Sequence, residues 1–291
     1  MRLGFAGLGL MGAAMAANLP RAGHRLAVYN RSEAPRLAAA KLGAKAFADP
    51  ADLFAACDAV ILTLADDAAT DHVLGRGSPD FATRVAGRLI VNMGTHAPVW
   101  SKALEADIVA AGGQFVEAPV SGSRGPAEAG MLVAMVAGDA EAVEMVRPLL
   151  APLCREVVAT GAVPSAMACK MAVNLYLMAS VAALAEAAAL AGALGLDGGV
   201  LERVIGSGPL GSDVSRAKLA KMVSGDFAPQ AAIHDVCKNA ALVAGAATSV
   251  GLDAASMGVA RQRFNMVLAA GGGELDMAAV ITSLKVTKLR R

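Results

Sequence analysis

The sequence predicts an α/β chain in two parts: an N-terminal doubly wound parallel sheet, joined by a long helix to an all-α C-terminal domain. Three observations carry this. Short apolar runs alternate with alanine-rich helical patterns through the first half, which is how a parallel sheet covered by helices on both faces reads. A helical stretch then runs from residue 165 to about 194 with no breaker until Gly192, a length suited to a spine between domains. From Gly198 onward only helical patterns separated by glycine follow. The boundary falls near residue 162, giving domains over 1–162 and 163–291.

The elements follow in order. Residues 2–6 read as a short apolar strand, the glycine-rich segment 7–12 follows at once, and 13–19 continues as a helix. Further strands are expected over 25–29, 59–64, 89–93, 114–116, 132–137 and 155–159. Asp139 with Glu141 fits an N-cap and first-turn acid for the helix after the 132–137 strand. Pro164 sits where a helix can begin, at a position that tolerates proline, and Gly195 is a plausible stop.

The segment Gly7-Leu8-Gly9-Leu10-Met11-Gly12 is a G-x-G-x-x-G between a strand and a helix. Each glycine has its own physical reason. Gly7 permits the tight turn, Gly9 lets the backbone approach a pyrophosphate, and Gly12 lets helix and strand pack closely. Phosphates are favoured at the helix N-terminus by free N–H groups and the dipole. A lone motif of this kind is weak, but its strand–turn–helix setting makes a Rossmann-type dinucleotide site the expectation. At the end of the next strand the chain reads Asn30-Arg31-Ser32. No acid is present to grip a ribose 2′-hydroxyl. A guanidinium and a hydroxyl stand there instead, which suits a 2′-phosphate, so NADP (as NADPH) is favoured over NAD.

Composition narrows the partners. With 56% hydrophobic and 18% charged residues among 291, the chain can bury a sizeable core. A net charge of +1 and 3% aromatic content give no case for nucleic acid or an anionic membrane. Cys57, Cys154, Cys169 and Cys237 form no C-x-x-C pair and read as small buried hydrophobes in a reducing compartment. The glycine turn accounts for the apolar start, so no signal peptide is expected. The apolar run over 175–185 is too short to span a bilayer and reads as a core helix. The expectation is a soluble cytoplasmic protein.

Three further groups of residues draw attention. Glu117-Ala118-Pro119-Val120-Ser121-Gly122-Ser123 follows a strand; its Ser-Gly step offers backbone N–H groups and a hydroxyl together, as a carboxylate requires. On composition alone an ordinary loop is the better reading. Lys170 and Asn174 share a face of the long helix beside Met167, Met171, Val173 and Leu177. A lysine against an apolar wall can protonate a carbonyl oxygen, although one that snorkels to solvent fits too. Lys238-Asn239 after His234-Asp235 is unremarkable alone. Asp66-Asp67 has no third ligand nearby, and the four histidines lack ligand spacing, so no metal is assigned.

Taken together, Gly7-x-Gly9-x-Met11-Gly12-x-x-Met15-Ala16-x-Asn18-Leu19, the Pro119-Val120-Ser121-Gly122 loop, Lys170 with Asn174, and Lys238 resemble the β-hydroxyacid dehydrogenases over nearly the whole chain. Pro126-Ala127-Glu128 and the stretch 274–281 look most like the NADPH-dependent glyoxylate/succinic semialdehyde reductases within that family. The resemblance implies a two-domain, homo-oligomeric enzyme (dimer or tetramer) with its active site in the interdomain cleft. It makes Lys170 the catalytic lysine, with Asn174 orienting substrate and Ser121 and Gly122 holding its carboxylate. It places Thr95, Lys238 and the backbone at Leu64 and Ala65 against the cofactor. Four positions depart from the pattern: Pro164 and Ala166 replace usual glycines, Asn239 a usual aspartate, and Ala231 a phenylalanine near the substrate. The alternatives are a 3-hydroxyisobutyrate-type dehydrogenase, or a reductase of bulkier carbonyls or imines. A cofactor-binding scaffold without turnover has no need of Lys170 on an apolar face.

Overall fold

The computed structural model describes residues 1–284; the last seven positions of the expected helical domain lie outside them. The chain divides into two compact units, Met1–Lys170 and Met171–Arg291.

The first unit contains β1 (Leu3–Ala6), α1 (Leu10–Ala16), α2 (Asn18–Arg21), β2 (Leu26–Tyr29), α3 (Glu33–Lys41), β3 (Lys45–Phe47), α4 (Pro50–Ala56) and β4 (Ala59–Leu62). There follow α5 (Asp67–Leu74), α6 (Asp80–Val85), β5 (Leu89–Asn92), α7 (Pro98–Ala110), β6 (Gln114–Glu117) and β7 (Val120–Ser121). It closes with α8 (Arg124–Glu128), β8 (Leu132–Gly138), α9 (Ala140–Leu150), β9 (Cys154–Gly161) and the start of α10 (Ser165–Ala193). The sheet runs β3-β2-β1-β4-β5-β6-β8-β7, with β9 on β8. The first six strands are parallel, in the 3-2-1-4-5-6 order of a doubly wound dinucleotide fold. β8 then runs antiparallel to β6 and β7.

β1, β2, β4 and β5 are buried at all four positions, as strands covered on both faces must be. Leu3, Phe5, Val28, Ile61, Leu89 and Val91 form the middle of one core with Leu132, Val136 and Leu150. Two local features differ from expectation. The first helix is not continuous: it breaks at Ala17 between α1 and α2, because Pro20 has no N–H to offer the Ala16 carbonyl. Two short strands, β3 and β7, also appear where none was expected.

The second unit holds the rest of α10, then α11 (Gly198–Ser207), α12 (Asp213–Ser224), α13 (Ile233–Ser249), α14 (Ala255–Ala269) and a 3-10 segment Met277–Ser283. Met171, Met178, Val181 and Ala185 of α10 enter a core with Val236, Val243, Phe264 and Val280. The core-helix reading of 175–185 therefore holds for one face only. Tyr176 and Leu190 on other faces are 76% and 61% exposed. Counting only the eleven-residue run also understates the helix, which by length and composition is apolar enough to cross a membrane, with a mean hydropathy of 1.6 over its 18-residue window. Of the four cysteines, Cys57 and Cys154 are buried while Cys169 and Cys237 are half-buried.

Candidate active site

The glycine turn leaves β1 with Gly7 at φ +99, a left-handed conformation that a side chain would strain. A Cβ there would also meet the Thr63 carbonyl. At Gly12 a Cβ would strike the Gly7 carbonyl oxygen, so α1 lies against the turn only because Gly12 has none. Gly9 is different: a Cβ built there meets nothing within 4 Å, and the residue is exposed. Leu8, Gly9 and Leu10 line a cavity of about 730 Å3 together with Arg21 and Arg124. Met11 is half-buried behind them. Two side chains hold this turn in shape. Thr63 donates its hydroxyl proton to the Gly7 carbonyl at 2.6 Å, and Asn30 Oδ1 accepts the Leu8 N–H at 2.9 Å. Asn30 is thus occupied with the turn itself, while Arg31 and Ser32 beyond it are exposed. Arg36 donates to the Asn30 carbonyl at 2.9 Å.

At the carboxyl ends of β4 and β5 lie Leu64 and Ala65, then Thr95, all at least partly accessible. Asp66 caps α5 by accepting the Ala69 N–H at 2.8 Å. Asp67 pairs instead with the fully buried His96, at 2.6 Å, and the His96 ring stacks on Trp100 with centroids 4.3 Å apart. This pairing ties together the two loops that carry Ala65 and Thr95. Among the described residues no group of His, Cys, Asp and Glu has metal-ligand geometry.

The β6–β7 segment and the first turns of α10 form a second cluster in the same unit. Lys170 is 8% exposed, and its Nζ donates to the Val120 carbonyl at 2.7 Å. Ser121 and Gly122 come next in the chain, Ser121 half-buried and Gly122 at φ +134. Glu117 is wholly buried, and burial pushes its carboxyl above the usual range, against the opposing pull of the nearby Ser101 hydroxyl and the N–H groups of Met167 and Ala166. Glu117 Oε1 and the Ser101 hydroxyl are both buried without a well-formed hydrogen bond among the described residues. The roles of Thr63, Glu117 and His96 were not legible in the sequence, although Glu117 heads one of the candidate segments, because each works through a partner 29 to 56 residues away.

In the second unit, Asn174 stands one helical turn beyond Lys170 along α10, 2% exposed, with its amide nitrogen unpaired among the described residues. Lys238 and Asn239 are half-buried on α13. Ala231 lies just before α13, where Asp276 Oδ2 accepts its N–H at 3.1 Å and that of Gln230 at 2.9 Å. Asp276 also takes both short bonds from Lys218 Nζ, at 2.8 and 2.9 Å, in a buried ion pair.

Residues 2–161 match the family model for the NAD binding domain of 6-phosphogluconate dehydrogenase. Residues 165–284 match that for the NAD-binding of NADP-dependent 3-hydroxyisobutyrate dehydrogenase. The chain is 31% identical to glyoxylate/succinic semialdehyde reductase 2, chloroplastic, from Arabidopsis thaliana, over 99% of its own length and 80% of the relative's. It is 34% identical to 2-(hydroxymethyl)glutarate dehydrogenase from Eubacterium barkeri, over 97% and 94%. Among solved structures, Psf3 in complex with NADP+ and 2-OPP superposes with a TM-score of 0.89 at 27% identity, over 97% of this chain and 100% of that one. The chain belongs to the β-hydroxyacid dehydrogenase family. It is therefore an NAD(P)-dependent oxidoreductase of hydroxyacid chemistry. The first unit fits such a cofactor: the open space over Gly9 is the place a dinucleotide backbone needs, and the glycines on either side are closed to any side chain.

Proposed function

We propose that the chain is an NADPH-dependent reductase of small aldehyde or keto acids, converting them to hydroxy acids in the manner of the glyoxylate/succinic semialdehyde reductases. One observation carries this reading: a buried ammonium, Lys170, fixed at 2.7 Å on the carbonyl of Val120, next to the Ser121-Gly122 step. When bound, NADPH supplies the hydride to the carbonyl carbon. Lys170 holds a proton at Nζ and delivers it to the carbonyl oxygen as charge develops there. Ser121 and Gly122 hold the substrate carboxylate with a hydroxyl and backbone N–H groups, and Asn174 supplies an amide donor to orient the substrate. Gly7 to Gly12 cradle the pyrophosphate, with Leu64, Ala65, Thr95 and Lys238 as further cofactor contacts. Anchoring the turn is the part assigned to Asn30, whereas Arg31 and Ser32 receive the 2′-phosphate, supported by their exposure and by the lack of an acid at the end of β2.

A second reading has one specific observation behind it. Alanine at 231 and asparagine at 239 leave a larger, less charged surround than a phenylalanine and an aspartate, which favours a bulkier aldehyde, ketone or imine. A 3-hydroxyisobutyrate-type dehydrogenase is supported by the C-terminal family match and by the likeness to solved 3-hydroxyisobutyrate dehydrogenases, but by no residue of the site. We place the two domains at 1–162 and 163–291. The exposed apolar side chains Tyr176, Leu190, Leu194 and Val204 support a homo-oligomer, and four free cysteines support a reducing, cytoplasmic setting. The test is NADPH consumption with glyoxylate, succinic semialdehyde, tartronate semialdehyde and a cyclic imine. Turnover of a semialdehyde or glyoxylate above the imine is expected; turnover of the imine alone selects the second reading, and none at all rejects both.

A further inference from the structure

A helix leaves its first N–H groups without partners inside the helix, and at the start of α10 each has a named acceptor. Ser165 donates to the Ala162 carbonyl at 2.9 Å, and Ala168 to the Pro164 carbonyl at 3.0 Å. Between them, the N–H groups of Ala166 and Met167 both donate to Glu117 Oε2, at 3.1 and 3.2 Å. The cap is therefore a side chain 49 residues upstream, at the end of β6, rather than a local Ser or Asp. Its carboxylate is completely buried, a costly place for a charge unless donors are aimed at it. The helix N-terminus supplies those donors and a favourable dipole.

One turn further along the same helix, Lys170 reaches back to Val120, three residues after Glu117. The short segment from Glu117 to Val120 is thus fastened to α10 twice, once through the helix backbone and once through the lysine ammonium. Both fastenings lie within the first unit. Neither contact alone fixes the direction of Nζ; the pair does, because one sets the helix start and the other the end of the side chain.

We propose that Glu117 is a positioning residue for the proton donor: it fixes the first turn of α10 so that Lys170 is held against the Val120 carbonyl, beside the Ser121-Gly122 step. This rests on the reading of Lys170 as the donor. Geometry, not charge, is what Glu117 contributes. A glutamine keeps one oxygen able to accept both N–H groups, whereas alanine leaves two buried donors without an acceptor. A misplaced donor loses rate in the chemical step and not in binding.

The test uses the full chain, bound NADPH and the panel compound turned over fastest, read as single-turnover hydride transfer. Glu117→Ala is expected to slow transfer by about 10–100-fold, with substrate KM and NADPH affinity within about threefold of wild type. Glu117→Gln is expected to restore the rate to within about threefold of wild type. In a Lys170→Ala background Glu117→Ala should add no further loss, since two residues acting through one group are not additive. A merely structural role predicts the opposite: the losses multiply, and binding falls with rate. The proposal is overturned if Glu117→Ala transfers hydride at the wild-type rate, if Glu117→Gln is as slow as Glu117→Ala, or if the losses multiply. Should Glu117→Ala fail to fold, Glu117→Asp replaces it: withdrawing the oxygen by one methylene should slow transfer while Glu117→Gln does not, and equal rates overturn the proposal. If Lys170→Ala itself transfers hydride normally, the donor assignment falls and this role with it; a normal Lys170 dependence with inert Glu117 variants removes only the positioning role.

Discussion

Replacing two glycines of the turn, one at a time, should separate stability from cofactor binding. Gly9 sits at φ −70 and ψ −166, extended backbone that alanine adopts freely, and a Cβ there touches nothing. Gly9→Ala should leave the melting temperature unchanged or slightly raised, since a compatible Gly→Ala change stabilises by about 0.4–1 kcal/mol. The new methyl group stands in the space assigned to the pyrophosphate, so NADPH affinity should fall at least about tenfold, or roughly 1.4 kcal/mol. Gly12→Ala meets the reverse situation. Its Cβ would strike the Gly7 carbonyl and lie 2.5 Å from Thr63 Oγ1, displacing the 2.6 Å bond between those groups. Overpacking costs about 1–3 kcal/mol, and the lost hydrogen bond about 0.5–1.5 kcal/mol more. At about 2–4 °C per kcal/mol for a unit of this size, the apo melting temperature should drop by about 3–18 °C. Calorimetric melts without cofactor and isothermal titration with NADPH read the two effects. Wild-type NADPH affinity in Gly9→Ala would show that the phosphates do not cross that backbone.

The remaining expectations concern cofactor choice, substrate size and acid stability. NADPH should bind more than about tenfold tighter than NADH, because a charge-assisted arginine contact is worth about 1.5–3 kcal/mol; titration of both cofactors into wild type and Arg31→Ala checks it, and equal affinities in wild type refute it. Ala231→Phe with Asn239→Asp should shift kcat/KM toward glyoxylate and away from larger carbonyls; an unchanged ratio across the panel counts against the pocket reasoning. Asp276→Ala should cost about 3–5 kcal/mol by stranding the buried Lys218 ammonium, measured by urea unfolding, and a loss under about 1 kcal/mol contradicts it. Burial pushes the Asp276 carboxyl up, but Lys218 and the backbone N–H groups of Ala278 and Gln230 outweigh it, holding its pKa below the usual carboxylate range. A depressed folded-state pKa gives stability that is fully present above the unfolded value and is lost as pH falls through the folded one. The stabilisation from Asp276 should therefore be full and independent of pH near neutrality, and the melting temperature should fall with acid below about pH 4, more steeply in wild type than in Asp276→Asn.

What was legible in the sequence is what local patterning controls. The strands β1, β2, β4 and, but for Asn92, β5 are short apolar runs buried on both faces, and such runs are visible without any partner. Asp139 was readable as a cap because its donors, the N–H groups of Glu141 and Ala142, are its near neighbours. β3 was not, since Lys45 and Ala46 at the sheet edge are exposed and the strand is three residues long. β7, at two residues, is a strand only because β8 runs beside it. The same division holds for the candidate site. The glycine turn announces itself by spacing, whereas Lys170 on its apolar face also reads as a snorkelling lysine and takes its role from the family resemblance. Thr63 on Gly7, Asp67 on His96 and Glu117 on the start of α10 are contacts between loops that the sheet brings together, and no local pattern encodes them. Asn30 combines both cases: its place at the end of β2 was readable, but its bond to Leu8 was not.

The central claim is that Lys170 delivers the proton to the substrate oxygen. Single-turnover hydride transfer from NADPH in Lys170→Ala, set beside NADPH affinity of the same variant, tests it most directly. The expected result is a rate lowered by about 10²–10⁴-fold with cofactor affinity nearly unchanged. A variant that keeps more than about a tenth of the wild-type rate contradicts the claim and assigns the proton to another group.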